Sequence, residues 1–167
     1  SRYNSDLANN VGNLLSRTVN MISRYFDGSV PEPGENGQAE AAVQGAAEML
    51  RTGAGKAMEQ MQFHAYLEKA LALADATNRY IDETEPFKLA KDDSRKARLG
   101  TILYTCAEAV RLVLVHLEPI LPDKATEGLA QLGWSAEGRP LEQTGRWGDL
   151  AAGTAVHKSG GLFPRKQ

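Results

Sequence analysis

The chain has 167 residues, of which 42% are hydrophobic and 24% charged, and its formal net charge at pH 7 is −2. This composition is ordinary for one globular domain, and the near-neutral charge excludes a molecule whose whole surface attracts nucleic acid. No apolar run approaches the roughly 18 residues of a membrane span, so a membrane is not an expected partner. DNA is not expected as a partner either. Because the chain starts at Ser1 without an initiator methionine, within an apparent helix, we expect a fragment of a longer protein.

The first predicted element is an amphipathic helix over residues 3–26. Its apolar residues recur at helical spacing, and Asp27-Gly28 supplies a stop signal. The apolar positions are Leu7, Val11, Leu14, Leu15, Val19 and Ile22. Two prolines and three glycines then make residues 27–38 a predicted surface loop.

Helical composition resumes near Ala39, and the glycines at 52–55 predict an interruption. A second long helix is predicted from about Lys56 to Glu83, with Met61 among its core residues. It ends before Pro86, because a proline disfavours helical geometry in the residue that precedes it.

A third long helix is predicted over Asp92–Leu117, with acidic and serine capping residues at its start, followed by a short helix over Asp123–Leu132. Beyond these, glycine and turn residues dominate. The sequence therefore predicts an all-α, antiparallel helix bundle over residues 1–132. Residues 133–167 are expected to form an irregular, extended C-terminal tail that packs on the bundle or on an absent catalytic domain.

Residues suited to catalysis or metal binding are scattered. Cys106 is the single cysteine, and it falls on the apolar side of its helix. The histidines at 64, 116 and 157 show no ligand spacing, and the Gly-Ala-Gly-Lys run at 53–56 lacks the remaining residues of a phosphate loop. We therefore expect no catalytic residue and no metal site in this chain.

The first helix carries a stripe of amides and guanidinium groups at spacings of three and four. The stripe consists of Asn10, Asn13, Arg17, Asn20 and Arg24. Such side chains have fixed donor and acceptor geometry, which suits the edges of nucleobases. The alternative interpretation is an ordinary solvated helix face.

A second pattern lies where the second long helix ends. Pro86 precedes an aromatic residue, Phe87, and the cations Lys88, Lys91 and Arg95 follow. Single-stranded RNA is typically held by stacking an unpaired base on an aromatic ring, while cations contact the phosphates. The alternative is that Phe87 caps the core at a helix junction.

With these two patterns, the sequence resembles the anticodon-binding domain of methionyl-tRNA synthetases, which are class I aminoacyl-tRNA synthetases. Residues 2–28 resemble the family's opening helix, 73–92 its second signature, 112–133 its closing helices, and 162–167 (LFPRKQ) its LFPR segment. In this family, an N-x-x-x-R motif contacts the first anticodon base, a cytosine, and the aromatic residue after proline stacks on it.

The resemblance implies these roles for Asn13, Arg17 and Phe87, although many relatives carry tryptophan at the last position. The stripe residues Asn10, Asn20 and Arg24, together with the cations Lys88, Lys91 and Arg95, are expected to make secondary or phosphate contacts.

The function implied is recognition of the anticodon loop of methionine tRNA by a non-catalytic part of a cytoplasmic methionine–tRNA ligase. The family's ATP-binding motifs do not occur in this chain, so ATP and magnesium are expected only in the parent enzyme and no cofactor in this fragment. The alternative function is a helical module that docks another polypeptide.

Overall fold

The computed structural model describes residues 7–158. A π-helical segment, Leu7–Gly12, leads into the first α-helix, and a 3-10 turn, Asp93–Arg95, precedes the α-helix that starts at Lys96. The α-helices are α1 (Asn13–Tyr25), α2 (Gln38–Glu59), α3 (Phe63–Thr84), α4 (Pro86–Leu89), α5 (Lys96–Leu117), α6 (Pro122–Gln131) and α7 (Leu141–Thr144). Over these residues the only β-type pairing is a single bridge between Ser29 and Ala155. The predicted all-α bundle is confirmed.

Two sequence-based expectations concern residues beyond this range. The expected helix start at residue 3 and the LFPRKQ segment at 162–167 lie outside the described residues. From Leu7 onward the expected helix is present, but its first six residues have π-helical rather than α-helical geometry. The predicted stop is confirmed, since both Asp27 and Gly28 have positive φ.

Helix α5 is the centre of the bundle. Every side chain from Leu99 to Leu117 is buried, and α1, α2, α3, α6 and α7 all pack against it. By length and mean hydropathy (1.3), Asp93–Leu117 could cross a membrane, so the expectation that no segment qualifies was wrong on that measure. Its apolar stretch is completely buried inside the bundle, as in the core helix of a globular domain.

The interruption predicted at 52–55 is wrong, because α2 runs unbroken through these residues. Ala54 and Ala57 are buried in the core. A Cβ atom on Gly53 would lie only 2.5 Å from the Cε atom of Lys69 in α3. Glycine at this position therefore leaves room for the Lys69 side chain of α3 and does not end α2.

The turn between α2 and α3 falls instead at residues 60–62. Met61 adopts a left-handed φ of 53° there, and 74% of its surface is exposed. The predicted core position of Met61 is therefore wrong. The predicted end of α3 is confirmed, since the helix stops at Thr84, two residues before Pro86.

A buried carboxylate joins three helices. Glu40, near the start of α2, accepts hydrogen bonds from Arg98 at 2.7 and 2.8 Å and from the Tyr80 hydroxyl at 2.8 Å. The backbone N–H of Gly37 adds a further bond at 2.8 Å. These donors, Arg98 first, lower the pKa of Glu40 to about 2 although burial opposes the shift.

A second buried ion pair attaches the described part of the tail to α5. Glu108 and Arg111 are both fully buried and hydrogen-bonded to each other. Arg111 donates to the carbonyl oxygens of Thr144 at 2.6 Å and Arg146 at 2.8 Å, and Glu108 accepts from the backbone N–H of Asp149 at 2.9 Å.

An aromatic residue covers this ion pair from outside. The guanidinium of Arg111 lies 4.8 Å from the centroid of the Trp134 ring, whose Nε1 donates to Asp149 at 2.9 Å. Asp149 also pairs with Arg139 at 2.8 Å. Residues 133–158 therefore follow a fixed path over the bundle, and they include the short helix α7 where the sequence predicted only extended chain.

Candidate nucleic-acid interface

The polar stripe of α1 faces outward. Asn13, Asn20 and Arg24 are exposed, and the side chain of Arg17 is 40% exposed. The Asn20 amide lies 3.5 Å from the Ser16 hydroxyl, at the limit of a hydrogen bond. The amide of Asn13 has no hydrogen-bond partner among the described residues. Its donors and acceptor are therefore available to another molecule.

Arg17 is held in position by two residues of α3. Its Nη1 donates to Asn78 Oδ1 and its Nη2 to Asp82 Oδ1, both at 3.3 Å. The Asn78 amide in turn donates to the backbone oxygen of Asn10 in the π-helical segment at 3.2 Å. Asn78 and Asp82 are four residues apart, so they share one face of α3. Sequence analysis missed both, because positions 61 and 65 residues away from Arg17 give no local signal.

The α3–α4 junction turns Phe87 outward. Glu85 caps α3 with a left-handed φ of 50°, and Pro86 is buried as the first residue of α4. A fixed φ suits proline at this position. Phe87 is 48% exposed, so its ring does not fill the core as the alternative interpretation required. The junction thus presents an aromatic face to solvent immediately after the segment that holds Arg17.

The cations near Phe87 differ in their pairing. The Nζ atom of Lys88 lies 2.7 Å from Glu85 Oε2, which offsets its charge. Lys91 and Arg95 are exposed and have no ion pair within the part of the chain that the structure describes. These two are therefore the better candidates for contacting phosphates.

Two contacts connect the stripe with the chain on either side of Phe87. Arg17 contacts Asp82, five residues before Phe87 in the chain. Further along α1, Arg24 lines a cavity together with Leu89, two residues after Phe87. Helix α1 therefore contacts α3 just before Phe87 and flanks α4 just after it.

Three features of the described residues bear on thiol chemistry, metal binding and phosphate binding. Burial raises the pKa of the Cys106 thiol to about 12, so it stays protonated. No three His, Cys, Asp or Glu side chains within residues 7–158 are grouped to hold a metal ion. The Gly-Ala-Gly-Lys run lies inside α2, where helical hydrogen bonds occupy the N–H groups that a phosphate would need.

Comparison with known proteins points to one family. A family model described as the anticodon binding domain of methionyl tRNA ligase matches residues 30–166. The methionine–tRNA ligase of Caldanaerobacter subterraneus subsp. tengcongensis is 40% identical over 165 residues, covering 99% of this chain and 26% of that protein. The Deinococcus radiodurans methionine–tRNA ligase is 40% identical over 167 residues, covering 100% of this chain and 24% of that protein.

Solved structures agree with the sequence matches. Apo methionyl-tRNA synthetase from Mycobacterium tuberculosis has a TM-score of 0.91 and 33% identity, covering 99% of this chain and 34% of that one. The same enzyme in complex with methionyl-adenylate gives a TM-score of 0.90. The chain spans about a quarter of the length of the curated relatives it matches.

The fold and these matches define the chain as an all-helical anticodon-binding domain. It belongs to the family of anticodon-binding domains of methionyl-tRNA ligase. The resemblance identified in the sequence is thereby confirmed. The family model begins at residue 30, after α1, whereas the match to the ligase of Deinococcus radiodurans covers the whole chain, α1 included.

Proposed function

We propose that this chain recognises the anticodon loop of methionine tRNA and reads its first base at the surface between α1 and α4. Asn13 and Arg17 hydrogen-bond the exposed edge of that base, a cytosine in the family, and Phe87 stacks on its face. The main support for the proposal is that Asn78 and Asp82 hydrogen-bond Arg17, and that the exposed Phe87 follows Asp82 by five residues in the chain.

The physical argument rests on preorganisation. An unrestrained arginine side chain would lose rotamer entropy on binding RNA. The guanidinium of Arg17 is already oriented by two acceptors on α3, so this loss is smaller. A bidentate contact to a base edge contributes about 1–3 kcal/mol of discrimination, and a stacked base a similar amount. A wrong base would leave polar groups without partners beneath the stacked ring, which is the costly outcome.

Phosphate contacts supply affinity without reading sequence. Lys91 and Arg95 are the cations best suited to them, with Lys88 weakened by its bond to Glu85. Asn10 and Asn20 contribute secondary polar contacts along the stripe. Because these groups cover a small area, the isolated chain binds tRNA weakly, and its affinity falls strongly as the salt concentration rises.

In the whole protein, the activity is that of a cytoplasmic methionine–tRNA ligase, which uses ATP and magnesium in a catalytic part beyond this chain. The domain positions the tRNA and contributes to its selection. The described part of the tail, residues 133–158, is anchored on the bundle through Arg111 and Trp134. We propose that the tail as a whole, residues 133–167, also faces the catalytic part.

The alternative function, a module that docks another polypeptide, has one observation in its favour. Met49, Met61 and Phe63 are exposed along α2, at the α2–α3 turn and at the start of α3, with 68%, 74% and 52% of their surfaces accessible. Phe63 and Phe87 lie at opposite ends of α3, about 30 Å apart along a helix of 22 residues. Protein docking there would leave the RNA surface free.

The test compares binding of the chain to two anticodon stem-loops that differ only in the first anticodon base, over a range of salt concentrations. Tighter binding of the native loop at every salt concentration supports the proposal. Equal affinity for the two loops would instead favour the docking module, with RNA binding reduced to general charge attraction.

A further inference from the structure

A groove of about 330 Å³ lies between α2 and α3 on the solvent-facing side of the pair. Its lining is mostly apolar, and small side chains keep it open. The lining includes three alanines, at positions 46, 65 and 72, together with Met49, Glu68 and Lys69. Met49 is 68% exposed, and Met61 in the turn between the two helices is 74% exposed. The proposed contacts with a base do not use this face.

Two opposite charges beside the groove lack partners. Glu68 is exposed, Lys69 is half-buried, and neither forms an ion pair over residues 7–158. The Lys69 side chain lies across α2, since a Cβ atom on Gly53 would be 3.0 Å from its Nζ atom. Its carbon chain therefore covers apolar surface while its ammonium group has no carboxylate beside it. A molecule that occupied the groove could pair with both groups.

The adjacent acid and base indicate which molecule covers the groove. In a two-fold interface the same patch meets itself, so residue i of one copy contacts residue j of the other, and j contacts i. A patch with one unpaired acid beside one unpaired base is therefore complementary to its own copy. Two identical pairs of Glu68 with Lys69 form together. A partner of a single charge would attract one of these groups and repel the other.

An antiparallel alignment of α3 on its copy gives a consistent register. When Glu68 faces Lys69 of the second copy, Ala65 faces Ala72 and Met61 faces Ala76, because residues equally far from the two-fold axis meet. Positions 65, 69, 72 and 76 share one face of α3 by their spacing. Alanines at the meeting positions allow the two helices to approach closely, and the flexible methionine adapts to the edge of the contact.

We propose that the α2–α3 face is a self-association surface, on which a second copy of this chain packs with its α3 antiparallel to the first. The paired residues run from 61 to 76, about 23 Å along the helix axis, and α2 widens the contact. Each copy then contributes roughly 500 Å², which is at the lower limit for a specific interface. The dimer is therefore weak and concentration-dependent.

The association leaves the proposed base-reading surface free. The paired residues end at Ala76, about 12 Å before the end of α3, and Phe87 lies beyond that end. A dimer thus carries two exposed Phe87 rings. Binding of a stem-loop and association of the chain are independent, so either proposal can fail without the other.

Sedimentation velocity of the full chain over about three decades of concentration measures the association. A dimer should appear at the upper concentrations. Glu68→Lys and Lys69→Glu each place like charges opposite one another at both pairs, so each variant alone should dimerise about tenfold more weakly or worse. Glu127→Lys is the matched control, because it makes the same charge change on an exposed residue of α6, which packs against α5.

A mixture of the two single variants identifies the partner as a second copy. In a mixed dimer, two lysines of one copy face two glutamates of the other, so both ion pairs form again. An equimolar mixture of Glu68→Lys and Lys69→Glu should therefore dimerise about as tightly as the original chain, although neither variant does so alone. Restored association requires both variants to be folded, which excludes unfolding as the cause of the loss.

Three results would overturn the inference. The first is an original chain that stays monomeric at every concentration. The second is a dimer that neither Glu68→Lys nor Lys69→Glu weakens, which would place the contact elsewhere on the bundle. The third is a mixture of the variants that associates no better than each variant alone, which would mean that Glu68 and Lys69 do not face each other across a two-fold axis.

Discussion

Arg17 of α1 and Asp82 of α3 form an ion pair at 3.3 Å, although 65 residues separate them in the chain. The two side chains are 40% and 71% exposed, so the pair contributes little to stability. Its geometric effect is larger, because it orients a guanidinium beside the junction that exposes Phe87. The proposed reading of a base depends on this arrangement.

Replacing Arg17 by lysine tests the guanidinium fork. Lysine keeps the charge but lacks the planar pair of donors that matches a base edge. We expect Arg17→Lys to reduce discrimination between the native and altered first base by about tenfold, with little change in the salt dependence of binding. Titrations of both stem-loops at several salt concentrations measure the two quantities.

The stability of this variant is the control. Because Arg17 is partly exposed, Arg17→Lys should change the free energy of unfolding by less than about 1 kcal/mol. A large loss of stability, together with equal weakening for both loops, would mean that the residue supports the fold and does not read the base.

Replacing Phe87 by alanine tests the stacking contact. Loss of one stacked base is expected to weaken binding of the stem-loop by about 1–3 kcal/mol. Phe63→Ala is the matched control, since Phe63 is similarly exposed at the opposite end of α3. Phe87→Trp should bind at least as tightly as the original chain, because indole offers a larger face. Equal losses for the two alanine variants would argue against a stacking role.

The buried Glu40 makes a pH-dependent contribution to stability. Its pKa is lowered from 4.5 to about 2, so the folded state binds this proton less readily than the unfolded state does. The stabilisation is therefore fully present above about pH 4.5 and is lost as pH falls towards 2. A shift of this size corresponds to about 3 kcal/mol at neutral pH.

Glu40→Gln should accordingly be less stable at pH 7 and should lose less stability than the original chain between pH 4.5 and 2. Urea unfolding at a series of pH values measures both differences. Asp92→Asn serves as the control, since Asp92 is exposed and its pKa is lowered by hydrogen bonds from its neighbour Ser94 and by the nearby charge of Arg95. If the free energy of unfolding fell equally between pH 4.5 and 2 in the original chain and in Glu40→Gln, Glu40 would not be the group responsible.

The path of the tail over the bundle depends on the pair formed by Glu108 and Arg111. Arg111→Ala leaves a buried carboxylate without its partner, which is expected to cost about 3–5 kcal/mol. Limited proteolysis should then cut between residues 133 and 158 before the helices are cut. Arg139→Ala, which removes a partly exposed pair with Asp149, should have a much smaller effect. Similar proteolysis of both variants would contradict this account of the tail.

Local signals in the sequence predicted most helices and the candidate site residues. The apolar period located α1 and α5, and Pro86 located the end of α3. The glycine signal at 52–55 misled, because Gly53 accommodates Lys69 from a neighbouring helix. The true turn at Met61 contains neither glycine nor proline, so no local rule marked it.

Long-range pairings were beyond prediction from one sequence. No local pattern marks Glu40 as buried, because its partner Arg98 lies 58 positions away. Asn78 and Asp82 were missed in the same way, since only the packing of α1 against α3 brings them to Arg17. The sequence pattern indicated the residues that face RNA in our proposal. The residues that position them could be identified only from the structure.

A structure of the chain bound to an anticodon stem-loop tests the central claim most directly. The account predicts the first anticodon base stacked on Phe87, with its edge within about 3.2 Å of donors or acceptors of Asn13 and Arg17. A complex in which that base is bound elsewhere, while the Phe87 ring remains in solvent, would contradict it.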